Sequence, residues 1–187
     1  GRPTYLPRIQ EYGLASRSSS MYLVTDVVDG TTWADSTLDD ADKLGVIEKL
    51  TDAVEHLHGL GISHGDIHPG NVMLGRENGK VYLVDIPDFS HNTAESKNHR
   101  YSPENIDGSS SEQRDIFAVL RMSCELLGLE WGEESKAYPR ISEVVQSELS
   151  DLAFGFRDLG RFKKALTTAD EVQEQQFVEI THTNVMR

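Results

Sequence analysis

The chain has 187 residues, which is enough for one domain with a real hydrophobic core, and a formal net charge of -13. That charge repels the phosphates of nucleic acids and anionic membranes, so we expect neither as a partner. The single cysteine, Cys124, excludes an intrachain disulfide and favours a reducing, cytoplasmic location. No apolar run approaches the ~20 residues that a membrane-spanning helix needs.

The chain opens with two predicted strands and a helix. Residues 5–15 and 21–28 predict two strands of an antiparallel hairpin, and the second of them is rich in β-branched and aromatic side chains. The second strand ends at Asp29-Gly30, which is a turn signal. Apolar residues then recur at helical spacing across residues 44–60, where a pair of glycines ends the helix.

The loop that follows this helix carries reactive side chains in the order His64-Gly65-Asp66-Ile67-His68-Pro69-Gly70-Asn71. Phosphoryl transfer from ATP needs an oriented acceptor hydroxyl and metal ions that neutralise the phosphates. A kinase catalytic loop supplies a base for the hydroxyl and, after a fixed gap, an Asn that reaches Mg²⁺. Asp66 and Asn71 stand at that spacing, and they predict a phosphoryl-transfer site.

A second predicted hairpin extends this site. Residues 72–74 and 81–84 predict two short strands, with the turn at Glu77-Asn78-Gly79. The hairpin returns the chain so that Asp85, at the end of the second strand, lies beside Asn71. Carboxylate and amide oxygens suit a hard cation, so Asn71 and Asp85 are the predicted magnesium ligands.

The rest of the chain predicts a loop, three helices and a tail. Residues 87–111 are polar and carry no sustained period, which predicts a long surface loop of a kind that is usually functional or mobile. Helical spacing returns in three segments, and the sequence after residue 167 is acidic and polar. The helical segments are residues 116–127, 141–152 and 156–166.

Five segments, in the correct order, resemble the C-terminal lobe of a eukaryotic-like protein kinase. Residues 21–30 resemble the hinge strand, 64–71 the catalytic loop, 81–87 the strand before the metal-binding Asp, 101–104 the end of the activation segment, and 114–118 the start of the central buried helix. The resemblance implies an α+β fold, with a mostly helical C-lobe preceded by the last two strands and hinge of the N-lobe. It also implies three parts: residues 1–30 (partial N-lobe), 31–168 (C-lobe) and 169–187 (acidic tail or truncated linker).

The resemblance also implies residue roles. ATP would lie against the hinge, with its adenine facing the backbone C=O of Asp26 and the N–H of Val28, behind a gatekeeper at Thr25. Mg²⁺ would be held by Asn71 and Asp85. Asp115 would prop the catalytic loop through backbone amides. ATP, Mg²⁺ and a protein substrate are therefore the expected cofactors and partner.

Three departures from the protein-kinase pattern matter. Gly65 replaces the usual Arg, so we expect little dependence on a phosphorylated activation loop. His68 is a third candidate catalytic residue, at the position of a Lys in Ser/Thr kinases, and its motif is frequent in aminoglycoside and choline phosphotransferases. Asp85-Ile86-Pro87 replaces Asp-Phe-Gly, and the fixed φ of proline makes a flip of this segment less favourable. Asp88 begins a competing candidate for the metal-binding motif.

Three functions remain open. The leading one is an ATP- and Mg²⁺-dependent Ser/Thr protein kinase. The alternatives are a small-molecule kinase of the aminoglycoside or choline type, and an inactive pseudokinase or scaffold. The resemblance covers residues 5–166, and the Gly-rich loop, strand Lys and helix Glu of the N-lobe have no counterpart ahead of it. We therefore expect this chain to be inactive on its own.

Three side chains carry further expectations. His64 should order the loop backbone, because the spacing of the neighbouring histidines matches no common zinc pattern. Trp33 should be a packed aromatic residue. Glu104 should pair with a later arginine, for which Arg157 and Arg161 are the candidates.

Overall fold

The computed structural model describes residues 5–15, 21–77, 79–85, 100–102, 110–151 and 155–169. Within them are four helices and two small antiparallel sheets, which confirms the predicted α+β class. The strands are β1 (Ile9–Leu14), β2 (Met21–Thr25), β3 (Gly30–Thr32), β4 (Val72–Gly75) and β5 (Val81–Leu83). The helices are α1 (Asp40–Gly59), α2 (Ser111–Leu126), α3 (Pro139–Ser150) and α4 (residues 160–169), and a 3-10 turn spans Trp33–Asp35.

The first hairpin forms as predicted, with shorter strands. β1 and β2 pair antiparallel, and Leu14 lies opposite Met21. The backbone N–H of Asp26 continues the pairing by donating to the C=O of Arg8 at 2.9 Å. Much of the hairpin is exposed, including apolar side chains such as Tyr12 at 74%.

The sequence interpretation missed β3. This strand begins at Gly30, where a turn was predicted, and it pairs antiparallel with β4. β4 then pairs with β5, so the second predicted hairpin is confirmed as part of a three-stranded sheet. Only Gly fits at position 30, because a Cβ there would lie 2.1 Å from the carbonyl oxygen of Leu74. Three residues are too few to show a strand period in the sequence.

Helix α1 forms the centre of the core. Its apolar side chains recur at helical spacing, and Ile47, Leu50 and Val54 are completely buried. Full burial of such a side chain contributes roughly 1.5–3 kcal/mol. The helix packs on α2 and β5. The loop of residues 60–71 starts at the end of this helix, so the packed helix fixes where the loop begins. Trp33 is 7% exposed, which confirms that it is a packed aromatic residue.

Helix α2 is buried on all sides over residues 116–120, as expected for a central helix. It begins five residues earlier than its apolar pattern suggested. The reason is a capping box: Ser110 Oγ accepts from the Gln113 N–H, and the Gln113 side chain accepts from the Ser110 N–H. The extra turn places Asp115 at the buried start of the helix.

The last two helices are also confirmed, with different bounds. α3 begins at Pro139, a favoured residue for a first turn. α4 starts at residue 160 and not at 156, because Phe156 has a φ of 56°, which is incompatible with a right-handed helix. Lys163 on α4 forms ion pairs with Asp52 and Glu55 on α1, and these tie the two helices together.

Several predictions lie outside the described residues. These are most of the 87–111 loop, Asp88, Glu104 and the tail after residue 169. The division of the chain into three parts stays a prediction. In the part of the chain that the structure describes, no helix is both long enough and apolar enough to cross a lipid bilayer.

Candidate functional site

The loop between α1 and β4 is held by one buried carboxylate. Asp115 is 1% exposed, and its two oxygens accept from the backbone N–H groups of His64 and Gly65, each at 2.7 Å. His58 Nε2 lies 3.0 Å from the same carboxylate and donates to it. Three donors compensate for the burial of the charge. The resemblance had implied this prop, and the structure shows it.

His64 connects the loop to the end of β5. Its ring is 2% exposed, and Nδ1 accepts from the backbone N–H of Asp66 at 3.3 Å. Nδ1 therefore carries no proton, and the protonated Nε2 donates to the C=O of Val84 at 3.0 Å. The neutral imidazole orders both the backbone of Asp66 and the residue that precedes Asp85, which is the role predicted for it.

The strand register brings Asn71 and Asp85 to one end of the sheet. Val72 pairs with Leu83, and the Val84 N–H donates to the C=O of Asn71 at 2.9 Å. Both backbone polar groups of Val84 are thus bonded to the loop that contains Asp66. Asp85 follows directly, so the predicted proximity of these side chains agrees with the register.

The amide of Asn71 is oriented by the loop itself. Its Nδ2 donates to the backbone C=O of Asp66 at 3.1 Å, and the residue is 8% exposed. Fixing the nitrogen leaves Oδ1 as the atom available to a ligand. An amide oxygen and a carboxylate at the same end of the sheet are the donor types that suit Mg²⁺, so the residues present fit this cation.

Asp66 and His68 face each other across the loop. His68 Nε2 lies 3.9 Å from Asp66 Oδ2, which is too long for a hydrogen bond. His68 Nδ1 accepts from the Gly70 N–H at 3.0 Å, so a neutral ring carries its proton on Nε2, toward Asp66. Both side chains are about one quarter exposed, at 27% and 25%, and so are accessible to a substrate.

Two residues of the site have left-handed backbone conformations. Gly65 has a φ of 81° and Asp85 a φ of 61°. A left-handed residue with a Cβ costs roughly 1–2 kcal/mol, which explains why glycine suits position 65. Asp85 adopts the same region with a Cβ; Asp is one of the few non-glycine residues found there, and such residues are concentrated at functional sites.

The hinge residues lie in an extended segment after β2. Asp26 uses its N–H for Arg8, and its side chain accepts from Gln10. Val27 is 95% exposed, whereas Val28 is partly buried. The adenine contacts of Asp26 and Val28 stay a prediction.

Residues 101–104 resemble the end of an activation segment, and the first of them, Tyr101, is bonded to α2. Tyr101 donates its hydroxyl to Glu125 Oε2 at 2.7 Å, and Arg100 and Arg121 both bond to Oε1. Burial, followed by the hydrogen bond to Glu125, raises the pKa of Tyr101 to about 12. Arg161, one candidate partner for Glu104, lies 3.7 Å from Glu148.

Sequence reasoning missed two contributors to the site. His58 was assigned no role. It lies in the last turn of α1, six residues before His64, and its ring reaches the Asp115 carboxylate that holds the loop. Val84 contributes through its backbone alone, which its apolar side chain could not indicate. The only available signal for Val84 was its place between the predicted strand and Asp85.

The chain is similar in sequence to known protein kinases. The csk1 serine/threonine-protein kinase of Schizosaccharomyces pombe is 32% identical over 94 residues, which are 46% of this chain and 28% of that protein. Protein kinase YpkA of Yersinia pseudotuberculosis is 32% identical over 118 residues, or 52% of this chain and 16% of that protein. The chain therefore spans under a third of the length of these relatives. No family model matches it.

A solved structure gives the fold. The PknI kinase domain of Mycobacterium tuberculosis superposes with a TM-score of 0.60 at 18% identity. The superposition covers 88% of this chain and 71% of that domain. The predicted resemblance in fold is confirmed.

Proposed function

We propose, from the premise that this chain belongs to the protein kinase superfamily, that the whole protein transfers the γ-phosphoryl group of ATP to a protein hydroxyl. The observation that carries the proposal is the single hydrogen-bonded assembly around Asp66, Asn71 and Asp85. Asp115 and His64 hold the loop that bears the first two, and Val84 joins that loop to the third. Similarity in sequence to serine/threonine-protein kinases favours Ser or Thr as the acceptor.

Asp66 is the proposed base. The acceptor hydroxyl attacks the γ-phosphorus, its proton passes to the Asp66 carboxylate, and the bond from γ-phosphorus to the β–γ bridging oxygen breaks to release ADP. The N–H groups fixed by Asp115 determine where the Asp66 backbone lies. His68 presents Nε2–H beside the same carboxylate, where it would donate to a transferred phosphoryl oxygen.

Asn71 and Asp85 would hold the metal. A bound magnesium ion supplies positive charge that neutralises the phosphate oxygens. The task of this chain is to keep two oxygen donors at one point. The Asn71 Nδ2 bond to Asp66 C=O fixes the first donor, and the left-handed backbone of Asp85 sets the direction of the second.

The test uses the full-length protein, radiolabelled ATP, Mg²⁺ and casein as a generic acceptor. Asp66→Asn should lower kcat by about 100-fold or more, since it removes the base. Asp85→Asn should instead raise the Mg²⁺ concentration needed for half-maximal rate. Asp158→Asn is the matched control, because this exposed residue keeps its acceptor for the Gly160 N–H. Transfer unchanged by Asp66→Asn would overturn the assignment of the base.

A small-molecule kinase is the second candidate, and His68 in its His-Gly-Asp-x-His-Pro-x-Asn motif is the observation that favours it. The same assay with kanamycin or choline as acceptor separates the two functions. Transfer to these acceptors and none to casein would replace the proposal. Failure of the full-length protein to bind Mg-ATP would favour a scaffold.

A further inference from the structure

A second concave site lies at the opposite end of β4 from the loop that carries Asp66. It is a pocket of about 470 Å³ between the start of α1 and the tip of the β4–β5 hairpin. Asn71 precedes β4, whereas the pocket is reached at Leu74 and Gly75. At ~3.3 Å per strand residue, the two sites are separated by roughly 13 Å. A single extended segment could occupy both.

The pocket has an apolar floor. Leu38, Val46 and Leu74 line it, and Val46 is 8% exposed. The other two side chains are partly buried and therefore still present surface to a ligand. The volume falls within the ~300–1,000 Å³ of known ligand pockets, so it suits one or two apolar side chains.

One wall of the pocket is acidic. Residues 29–43 contain five aspartates and one lysine, and Asp35 and Asp42 line the pocket itself. The lysine, Lys43, is paired with Asp40 at 2.6 Å. Among the described residues, no cation is paired with Asp35 or Asp42, so this wall favours an incoming positive charge.

The two cations at the other wall are already engaged. Lys49 Nζ donates to the C=O of Gly79 at 2.9 Å, and Arg76 Nε lies 3.5 Å from a carboxylate oxygen of Asp29. These contacts hold the cations at the hairpin tip. Asp29 offsets the charge of Arg76, whereas Lys49 keeps its charge and is turned toward a backbone carbonyl. Asp35 and Asp42 are the carboxylates of the pocket that have no cationic partner among the described residues.

Gly45 gives an independent indication that the pocket is kept open. It lies in the interior of α1, where glycine costs ~1 kcal/mol relative to alanine, and it lines the pocket. A Cβ at this position would meet no atom within 4 Å. Packing therefore does not require glycine, whereas any side chain here would take up space in the pocket.

We infer that this pocket docks an extended basic segment of the protein substrate. An apolar side chain of the segment lies on Leu38 and Leu74, and a neighbouring Lys or Arg lies against Asp35 and Asp42. The inference rests on the proposed function only for the identity of the partner as a substrate. Binding itself needs neither ATP nor transfer.

The test measures the binding of a fluorescent peptide to the full-length protein by anisotropy, without ATP. The peptide contains two arginines, two glycines and two leucines in that order, and its counterpart has glutamates in place of the arginines. We expect saturable binding of the basic peptide only. The double variant Asp35→Asn and Asp42→Asn should weaken it at least tenfold, whereas Glu130→Gln with Glu134→Gln, an equal charge change at exposed sites, should not.

Gly45→Leu provides a test that does not depend on charge. It fills the pocket and should abolish binding, while improved helix propensity keeps α1 folded. Equal binding of the acidic peptide, binding unaffected by both pocket variants, or no saturable binding would each overturn the inference. Because transfer to casein is measured separately, docking without transfer contradicts only the proposed kinase function. Transfer without docking contradicts only this inference.

Discussion

Oδ1 of Asp115 accepts a hydrogen bond from the backbone N–H of Gly65 at 2.7 Å, across 50 residues of sequence. The contact joins the start of a buried helix to the residue before the proposed base. The position of Asp66 is therefore determined by α2 as well as by its own loop.

Asp115→Asn should destabilise the protein by about 3 kcal/mol, because an amide nitrogen would face backbone N–H donors in a buried site. The loss is expected in the free energy of unfolding measured with urea, together with a fall in kcat. Asp158→Asn, the exposed control, should change the unfolding free energy by less than ~0.5 kcal/mol. Equal effects of the two variants on the unfolding free energy would contradict the claim that the Asp115 carboxylate holds the loop.

Gly65→Ala should lower the unfolding free energy by about 1–2 kcal/mol, since the φ of 81° is unfavourable for any residue with a Cβ. Gly65→Arg, which restores the usual kinase residue, should carry the same cost. Gly45→Ala is the matched comparison, and it should stabilise the protein by up to ~1 kcal/mol because its helical Cβ is unobstructed. Thermal unfolding of the three variants distinguishes backbone strain from a general effect of losing glycine.

The thiol of Cys124 should be unreactive in the folded protein. Burial raises its pKa to about 11, and the side chain is 2% exposed. At pH 8 its reaction with Ellman's reagent should be at least ~100-fold slower than after unfolding in guanidinium, because both the thiolate and access to it are lacking. Since the chain contains one cysteine, the signal has a single source. Rapid native labelling would contradict the buried position.

The Glu125 cluster should make stability depend on pH at the acidic end. Burial acts to raise the pKa of Glu125, but hydrogen bonds from Tyr101 and Arg100 outweigh it and hold the pKa below its ordinary value. A depressed folded-state pKa gives stability that is present above the unfolded value of ~4.3 and lost as the pH falls through the folded value.

Glu125→Gln should therefore show a difference in unfolding free energy from the unmodified protein that is constant above about pH 5 and shrinks below about pH 4. Urea titrations at a series of pH values measure it. Glu134→Gln, an exposed control, should give a difference independent of pH. A Glu125→Gln difference that grows on acidification would contradict the assigned direction.

Local patterns predicted the secondary structure where a period is long enough to be read. α1 and α2 follow from apolar spacing, and the β4–β5 hairpin follows from Asn78-Gly79. The starts of α2 and α4 were misplaced because a capping box and a left-handed Phe156 decide them. β3 was missed because its pairing with β4 is a long-range contact.

By itself, the sequence determined which residue types are available for phosphoryl transfer and in what order. The spacing of Asp66, Asn71 and Asp85 along the chain does not depend on the fold. Only the tertiary structure decided that Asp115 and His64 fix the loop by donors and acceptors distant in sequence. It also decided that Gly45 faces a pocket. The physical reason is that buried hydrogen bonds and cavities arise where elements pack, and no local pattern records which elements will meet.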